Sequence, residues 1–235
     1  MSRILDVYEK VRNGTPDAGL RLQVASLLRD FEAQLNQSPP MAFVQAHPLG
    51  FFAIRWPLGD GRELRLHVWA RKFEWVQEPN WPIHDHTFSF GSTILAGSIL
   101  NKTYDIERPA VEGDRSWGLY SVSYVGDTSI VTLEKSGVRL VARSAEVKNE
   151  GEHYLMHAGD LHRSRLLSEA AITVLATWSV NWECLARVIG DGRSLALSFQ
   201  RSAVAQLNVP VLVKIVENFL LGNISSISSK IEKAF

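Results

Sequence analysis

Two histidines one residue apart carry the first chemistry in this chain, in Pro82-Ile83-His84-Asp85-His86-Thr87-Phe88-Ser89-Phe90-Gly91. On an extended backbone, side chains i and i+2 share a face, so His84 and His86 can offer two imidazoles to one small volume while Asp85 points away. Such a pair is metal-ligand geometry. A second segment, Gly151-Glu152-His153-Tyr154-Leu155-Met156-His157-Ala158-Gly159-Asp160-Leu161-His162, can supply a third imidazole. Neutral imidazole suits iron, zinc, copper and nickel, and three such ligands leave open positions for water, O2 or substrate. Seven histidines in 235 residues produce a His-x-His pair by chance only about 0.2 times. We therefore read His84, His86 and His162 as metal ligands, with His157 as the rival for the third place and hydrogen-bonded structural histidines as the alternative. His153 and His67 read as supporting or surface groups, His153 also as a minor candidate facing inwards. His47, before Pro48, reads as a loop residue.

Ligands from distant segments need a rigid frame. From residue 41 to about 183 the chain consists of short runs rich in Val, Ile, Phe, Trp and Tyr, punctuated by Gly, Asp, Asn and Pro. Phe51 to Trp56 and Glu63 to Trp69 flank Pro57-Leu58-Gly59-Asp60-Gly61-Arg62, which reads as a hairpin loop. Further strands are predicted at Thr93 to Tyr104, Trp117 to Val125, Ser129 to Lys135 and Val138 to Lys148. Three more follow at His153 to Met156, Leu161 to Leu167 and Ile172 to Trp178. So many close-set strands argue for a sandwich or barrel. The seven tryptophans, Trp56, Trp69, Trp75, Trp81, Trp117, Trp178 and Trp182, mostly fall in or beside strands, where large rings fill an interior.

Helices are expected at both ends. Ile4, Leu5, Tyr8 and Val11 have helical spacing, stopped by Asn13-Gly14. Thr15-Pro16-Asp17 then reads as cap, first helical position and first-turn acid for a helix through Leu35, ended by Ser38-Pro39-Pro40. After about residue 184 the strand pattern fades. Pro210 to Gly222 has proline near its start and glycine past its end, a helix signature. A last helix spans Ile224 to Phe235. The expected organisation is 1–40 helical, 41–183 β-barrel and 184–235 helical, the last covering the sheet or forming a homodimer contact.

Composition narrows the partners. With 25 basic against 25 acidic residues and no basic block, neither nucleic acid nor an anionic membrane surface is an expected partner. The start lacks the apolar run of a secretory signal, and the most apolar stretch, 170–180, is too short to span a bilayer. A lone cysteine, Cys184, cannot form an internal disulfide, so a cytoplasmic location is expected.

The two histidine segments resemble the paired motifs of the cupin superfamily, Gly-x5-His-x-His-x3,4-Glu-x6-Gly and Gly-x5-Pro-x-Gly-x2-His-x3-Asn. The first is represented by His84, His86 and Gly97, the second by Gly151, Gly159 and His162. His157 stands where proline is usual and Leu166 where asparagine is usual. Phe90 and Gly91 occupy the glutamate positions. A missing glutamate together with Ile83-His84-Asp85-His86-Thr87-x-Ser89 resembles the cysteine dioxygenase type of thiol dioxygenase. That resemblance covers about 42–180 and implies a mainly β cupin barrel with three histidines on ferrous iron. It also implies O2 as co-substrate and an arginine for the substrate carboxylate, here Arg55. Gly91 stands at the family's cysteine, so no cysteine-tyrosine cross-link can form. Leu175-Ala176-Thr177-Trp178-Ser179 replaces its Ser-x-His-x-Tyr network.

The expectation is therefore a non-haem iron dioxygenase acting on a small carboxylate-bearing thiol or amino-acid derivative. Alternatives are another zinc or iron cupin enzyme acting on amino-acid-derived intermediates, or a cupin that binds a small ligand without turnover. Arg55 reads equally as a bidentate carboxylate clamp or as the partner of Glu63 across the hairpin. Tyr154 can supply a proton near the metal, although Tyr154 and Trp178 also suit a core.

Overall fold

The structure, a computed structural model, describes residues 2–35, 41–71, 78–107, 116–200 and 208–232. Trp75, the Ser38-Pro39-Pro40 stop and Phe235 lie outside them. Two helices come first, α1 (Ser2–Arg12) and α2 (Leu20–Ala33), then the strands β1 (Phe43–His47), β2 (Phe51–Gly59), β3 (Arg62–Ala70), β4 (Ser89–Ala96) and β5 (Ser98–Glu107). Next come β6 (Trp117–Val125), β7 (Thr128–Asn149), β8 (His153–Met156), β9 (Leu161–Leu166) and β10 (Ala170–Trp178). The chain continues through β11 (Ala186–Gly190), β12 (Ala196–Gln200), α3 (Val209–Leu220) and α4 (Ser228–Glu232).

The strands form two antiparallel sheets, ordered β1-β2-β3-β10-β4-β8 and β11-β6-β7-β5-β9, with β12 paired to β7. The architecture is mainly β and sandwich-like. The expected barrel does not close. The first sheet ends on short strands, five residues in β1 and four in β8. The edges of the second, β9 and β11, are spanned only by isolated bridges from His84 to His162 and Val188.

Period-2 alternation explains how the first sheet serves two interiors. Ile54, Trp56, Leu64, Leu66, Val174 and Ala176 point to one face and bury against α1, α2 and α3. Their neighbours Phe51, Ala53, Arg55, Arg65, His67 and Thr173 point to the other and line the cavity that holds the histidines. Every residue of β4 is buried because that strand is covered on both sides. Gly91 belongs to its helix side, where a Cβ would press on the Val11 carbonyl and the His153 ring.

Several expectations are corrected. The predicted strand 93–104 is two strands, divided at Gly97, whose φ of 76° only glycine adopts readily. The two predicted strands 129–135 and 138–148 are one long strand, because Gly137 bends β7 without ending its pairing, with β6 along its first half and β5 along its second. Strands persist beyond residue 184: β11 and β12 have five residues each, too few for alternation to stand out. The second helix starts at Leu20, not after Thr15. Asp17 instead accepts the Gly19 N–H at 2.8 Å and pairs with Lys10 at 2.9 Å, holding the chain in a turn. Only Ser228–Glu232 of the predicted last helix is helical within the described residues, while α3 matches its proline and glycine signals and buries Leu212, Val213, Val216 and Leu220. No helix among the described residues is long and apolar enough to cross a membrane.

Gly97 turns β4 into β5, and a Cβ there would overlap the Ala170 carbonyl as well as strain the backbone. Gly97→Ala is expected to cost about 2 kcal/mol or more of unfolding free energy, read by urea denaturation. An unchanged midpoint would contradict this placement.

Candidate metal centre

The three histidines converge because the backbone pairs them. His84 donates its N–H to the His162 carbonyl at 3.0 Å, and His162 returns its own N–H to the His84 carbonyl at 2.8 Å. Residues in such a reciprocal antiparallel pair sit directly opposite and project to the same face. His86, two residues on, joins that face. The ring centroids lie 4.8 Å apart for His84 and His86, 4.6 Å for His84 and His162, and 5.1 Å for His86 and His162. One ligand atom from each falls within 4.8 Å of the others.

The rings are also in a suitable tautomer. Nδ1 of His84 donates to the Pro82 carbonyl at 3.1 Å, and Nδ1 of His162 donates to the Asp160 carbonyl at 2.9 Å. A carbonyl only accepts, so the proton is on Nδ1 and the Nε2 lone pair is free for a cation. His86 stacks on Phe88 at 4.6 Å. Burial pushes all three imidazoles below their usual value, His162 to about 3, and their mutual proximity adds to this for His86 and His162. They are neutral at physiological pH, as metal ligands must be.

Asp85, between the first two ligands, faces the other way as alternation requires. Its buried carboxylate accepts the Arg187 backbone N–H at 2.6 Å and the Arg187 Nε at 2.6 Å. Arg187 Nη2 continues to the Gly159 carbonyl at 3.1 Å, on the turn that leads into His162. One ion pair thus ties the His84–His86 segment to β11 and to the third ligand's turn. Sequence alternation turned Asp85 away from the histidine face, but its partner Arg187 was hidden in a stretch where the strand pattern fades.

The remaining candidates separate clearly. His157 is exposed, its N–H donating to Asp160 Oδ2 at 3.0 Å, and it stands outside the triad. His153 faces α1, with Nδ1 3.0 Å from the Thr93 hydroxyl. Trp178 carries Arg12 over its ring at 5.8 Å. His47, expected in a loop, and His67, expected as a supporting or surface group, both line the cavity that holds the three histidines; His47 ends β1, and His67 is an inward residue of β3. The Leu49 N–H donates to His47 Nδ1 at 3.2 Å, leaving Nε2–H as that ring's donor. Burial, followed by nearby imidazoles and guanidiniums, keeps both rings well below the usual histidine value. The i, i+2 alternation Arg65-x-His67-x-Trp69 was the signal for His67.

Arg55 is the partner of Glu63. Its Nη2 lies 2.7 Å from both Glu63 oxygens and its Nε 3.1 Å from one, while Nη1 reaches Gln45 Oε1 at 3.2 Å. Sequence reasoning missed Arg65, which also uses Glu63, through Nε at 2.6 Å, and lies 4.5 Å over the Phe88 ring. Among the described residues no hydrogen bond engages the terminal nitrogens of Arg65. Burial raises and the two guanidiniums lower the Glu63 carboxyl, leaving it below the usual carboxylate range. Burial and the Arg55 charge bring Arg65 down to about 10, still a cation at neutral pH. Two guanidiniums share one carboxylate beside three neutral imidazoles. Tyr154 lines the same cavity with its hydroxyl beside Ser92 and Asn101, and burial raises its pKa.

No family model and no curated protein matches this chain. Among solved structures, Drosophila melanogaster CENP-C bound to CAL1 is 8% identical over 67% of this chain and 98% of its own, with a TM-score of 0.35. Protein NMB1881 from Neisseria meningitidis is 12% identical over 65% of this chain and 96% of its own, with a TM-score of 0.28. Likenesses this loose carry neither fold nor function.

Two outcomes follow from the geometry. Asp85→Asn is expected to weaken zinc or ferrous-ion affinity about tenfold, by freeing the segment that aims the ligands, and to cost about 1–3 kcal/mol of stability. Chelator competition and urea unfolding measure the two effects, and unchanged affinity would detach Asp85 from the site. The metal-free protein is expected to lose stability as pH falls below about 6.5. The unfolded chain then takes up protons that the buried His47, His67, His84, His86 and His162 refuse. Melting temperature in chelator, followed from about pH 8 to about pH 5, should decline, and less steeply in His67→Gln.

Proposed function

We propose that this chain is a mononuclear non-haem iron dioxygenase of the cupin type, which oxidises a carboxylate-bearing thiol or amino-acid derivative with O2. The observation that carries this reading is the His84, His86 and His162 triad, two of its rings oriented through Nδ1, next to the Arg55, Arg65 and Glu63 cluster. Three neutral ligands leave the ion's charge uncompensated and its remaining positions open, which favours anionic donors from a substrate. Ferrous iron held there would supply O2 activation beside the bound substrate.

The chain's own residues do the positioning. Arg65, whose terminal nitrogens make no hydrogen bond among the described residues, receives the substrate carboxylate as a planar fork. Arg55 and Glu63 hold Arg65 in place, so the carboxylate-clamp role expected of Arg55 passes mainly to its neighbour while Arg55 adds positive charge. Phe88 and Phe90 flank His86 at 4.6 and 5.7 Å and exclude water around it. Tyr154 contributes its ring to the cavity wall, its hydroxyl held beside Ser92 and Asn101, and His47 offers a ring N–H.

Purified protein is expected to contain iron and to consume O2 with at least one thiol among cysteine, cysteamine and 3-mercaptopropionate. That uptake should vanish in His86→Ala and KM should rise at least tenfold in Arg65→Gln. An iron-replete sample that consumes no O2 with any thiol overturns the oxygenase reading.

A further inference from the structure

The metal triad lies where two cavities of different size meet. The inner one, of about 70 Å³, is walled by Phe51, Trp69, Phe90 and Tyr154 and holds only a few water-sized molecules. The outer one, of about 460 Å³, opens towards solvent. His84, His86, Arg65 and Phe88 line both. The outer wall carries an apolar surface: Val122, Val131, Val188 and Phe199 of the second sheet, with Trp81 from the segment before His84, pack as one cluster around Tyr120. Trp182, 78% exposed, stands at its rim.

A substrate the size of cysteine or 3-mercaptopropionate would leave that apolar wall wet. We propose, resting on the function assigned above, that the substrate is an elongated amphiphilic acid: an anionic head at Arg65 and the metal triad, and an apolar tail along the outer cavity. Charge assigns the head. Arg55 and Arg65 against Glu63 leave one positive charge at the junction of the cavities. The wall assigns the tail, since Val122 and Val131 are nearly buried yet turn a face to the cavity. The small inner cavity remains for a small co-substrate or water.

Calorimetric titration of the zinc-loaded protein with propionate, butyrate, hexanoate and octanoate tests this without turnover. Each methylene withdrawn from water multiplies affinity about fourfold, so octanoate is expected to bind at least a hundredfold more tightly than propionate. Octylamine, with the opposite head charge, is expected to bind at least tenfold more weakly than octanoate. Phe199→Asp should flatten the chain-length dependence. Trp182→Ser, on an exposed side chain that a folded variant tolerates, should reduce octanoate affinity severalfold. Equal affinity along the series, or octylamine binding as well as octanoate, overturns the proposal. Steep chain-length dependence without O2 uptake from any thiol, 8-mercaptooctanoate included, keeps this proposal and removes the oxygenase. O2 uptake with short thiol acids and a flat series does the reverse.

Discussion

The reciprocal backbone pair between His84 and His162 is the constraint on which the site depends. It joins a segment with no regular strand of its own to the edge of the second sheet. Because two narrow hydrogen bonds put both residues opposite one another, the third ligand needs no separate means of positioning. The Asp85 carboxylate secures the other side of the same segment, against β11. A span of a few residues between two sheet edges would otherwise fray, since isolated bridges offer little cooperativity. Placing an acid between the two histidines uses the strand's alternation twice, once for the histidine face and once for the anchor.

The same alternation organises the first sheet. β2, β3 and β10 present aliphatic residues to the helices and a mixed set of aromatics, imidazoles and guanidiniums to the cavity. Polar groups on the inward face are buried at a cost that partners offset: Arg55 and Arg65 by Glu63, His47 by the Leu49 amide. The helices matter to the site indirectly. By covering the far face of β4, β3 and β10, they let those strands commit their near face to groups that contribute little to a core.

Much of this was legible in the chain. His84 and His86 show themselves by spacing alone, and the strands β6 and β8 coincide with their predicted limits because each is bounded by turn residues and has clear β-type composition. His162 was legible as a candidate, whereas its superiority to His157 depends on a cross-strand pair that no local pattern displays. Arg65 escaped notice, and the cavity positions of His67 and His47 were not read, for a related reason: a charged or titratable residue in a half-polar strand looks the same facing solvent as facing a cavity. β11 escaped because five residues without a strong hydrophobic run carry little signal. Many close-set strands argued for a sandwich or barrel, and the choice between them lies in how the sheet edges pair, which composition does not display.

Charge links these observations into one account of the site. Desolvation keeps the imidazoles unprotonated, so the triad adds no charge of its own. Desolvation does not discharge Arg65, because guanidinium holds its proton so strongly that even a value brought down to about 10 leaves it cationic. Burial therefore sorts two basic residue types into two roles within one cavity: neutral donors that can face a cation, and a permanent cation that can face an anion. Glu63 stands between the guanidiniums and limits their repulsion without neutralising both. An aspartate or glutamate among the ligands would cancel the attraction for an anionic guest. With histidines alone facing the ion, that attraction is retained where the small and large cavities meet.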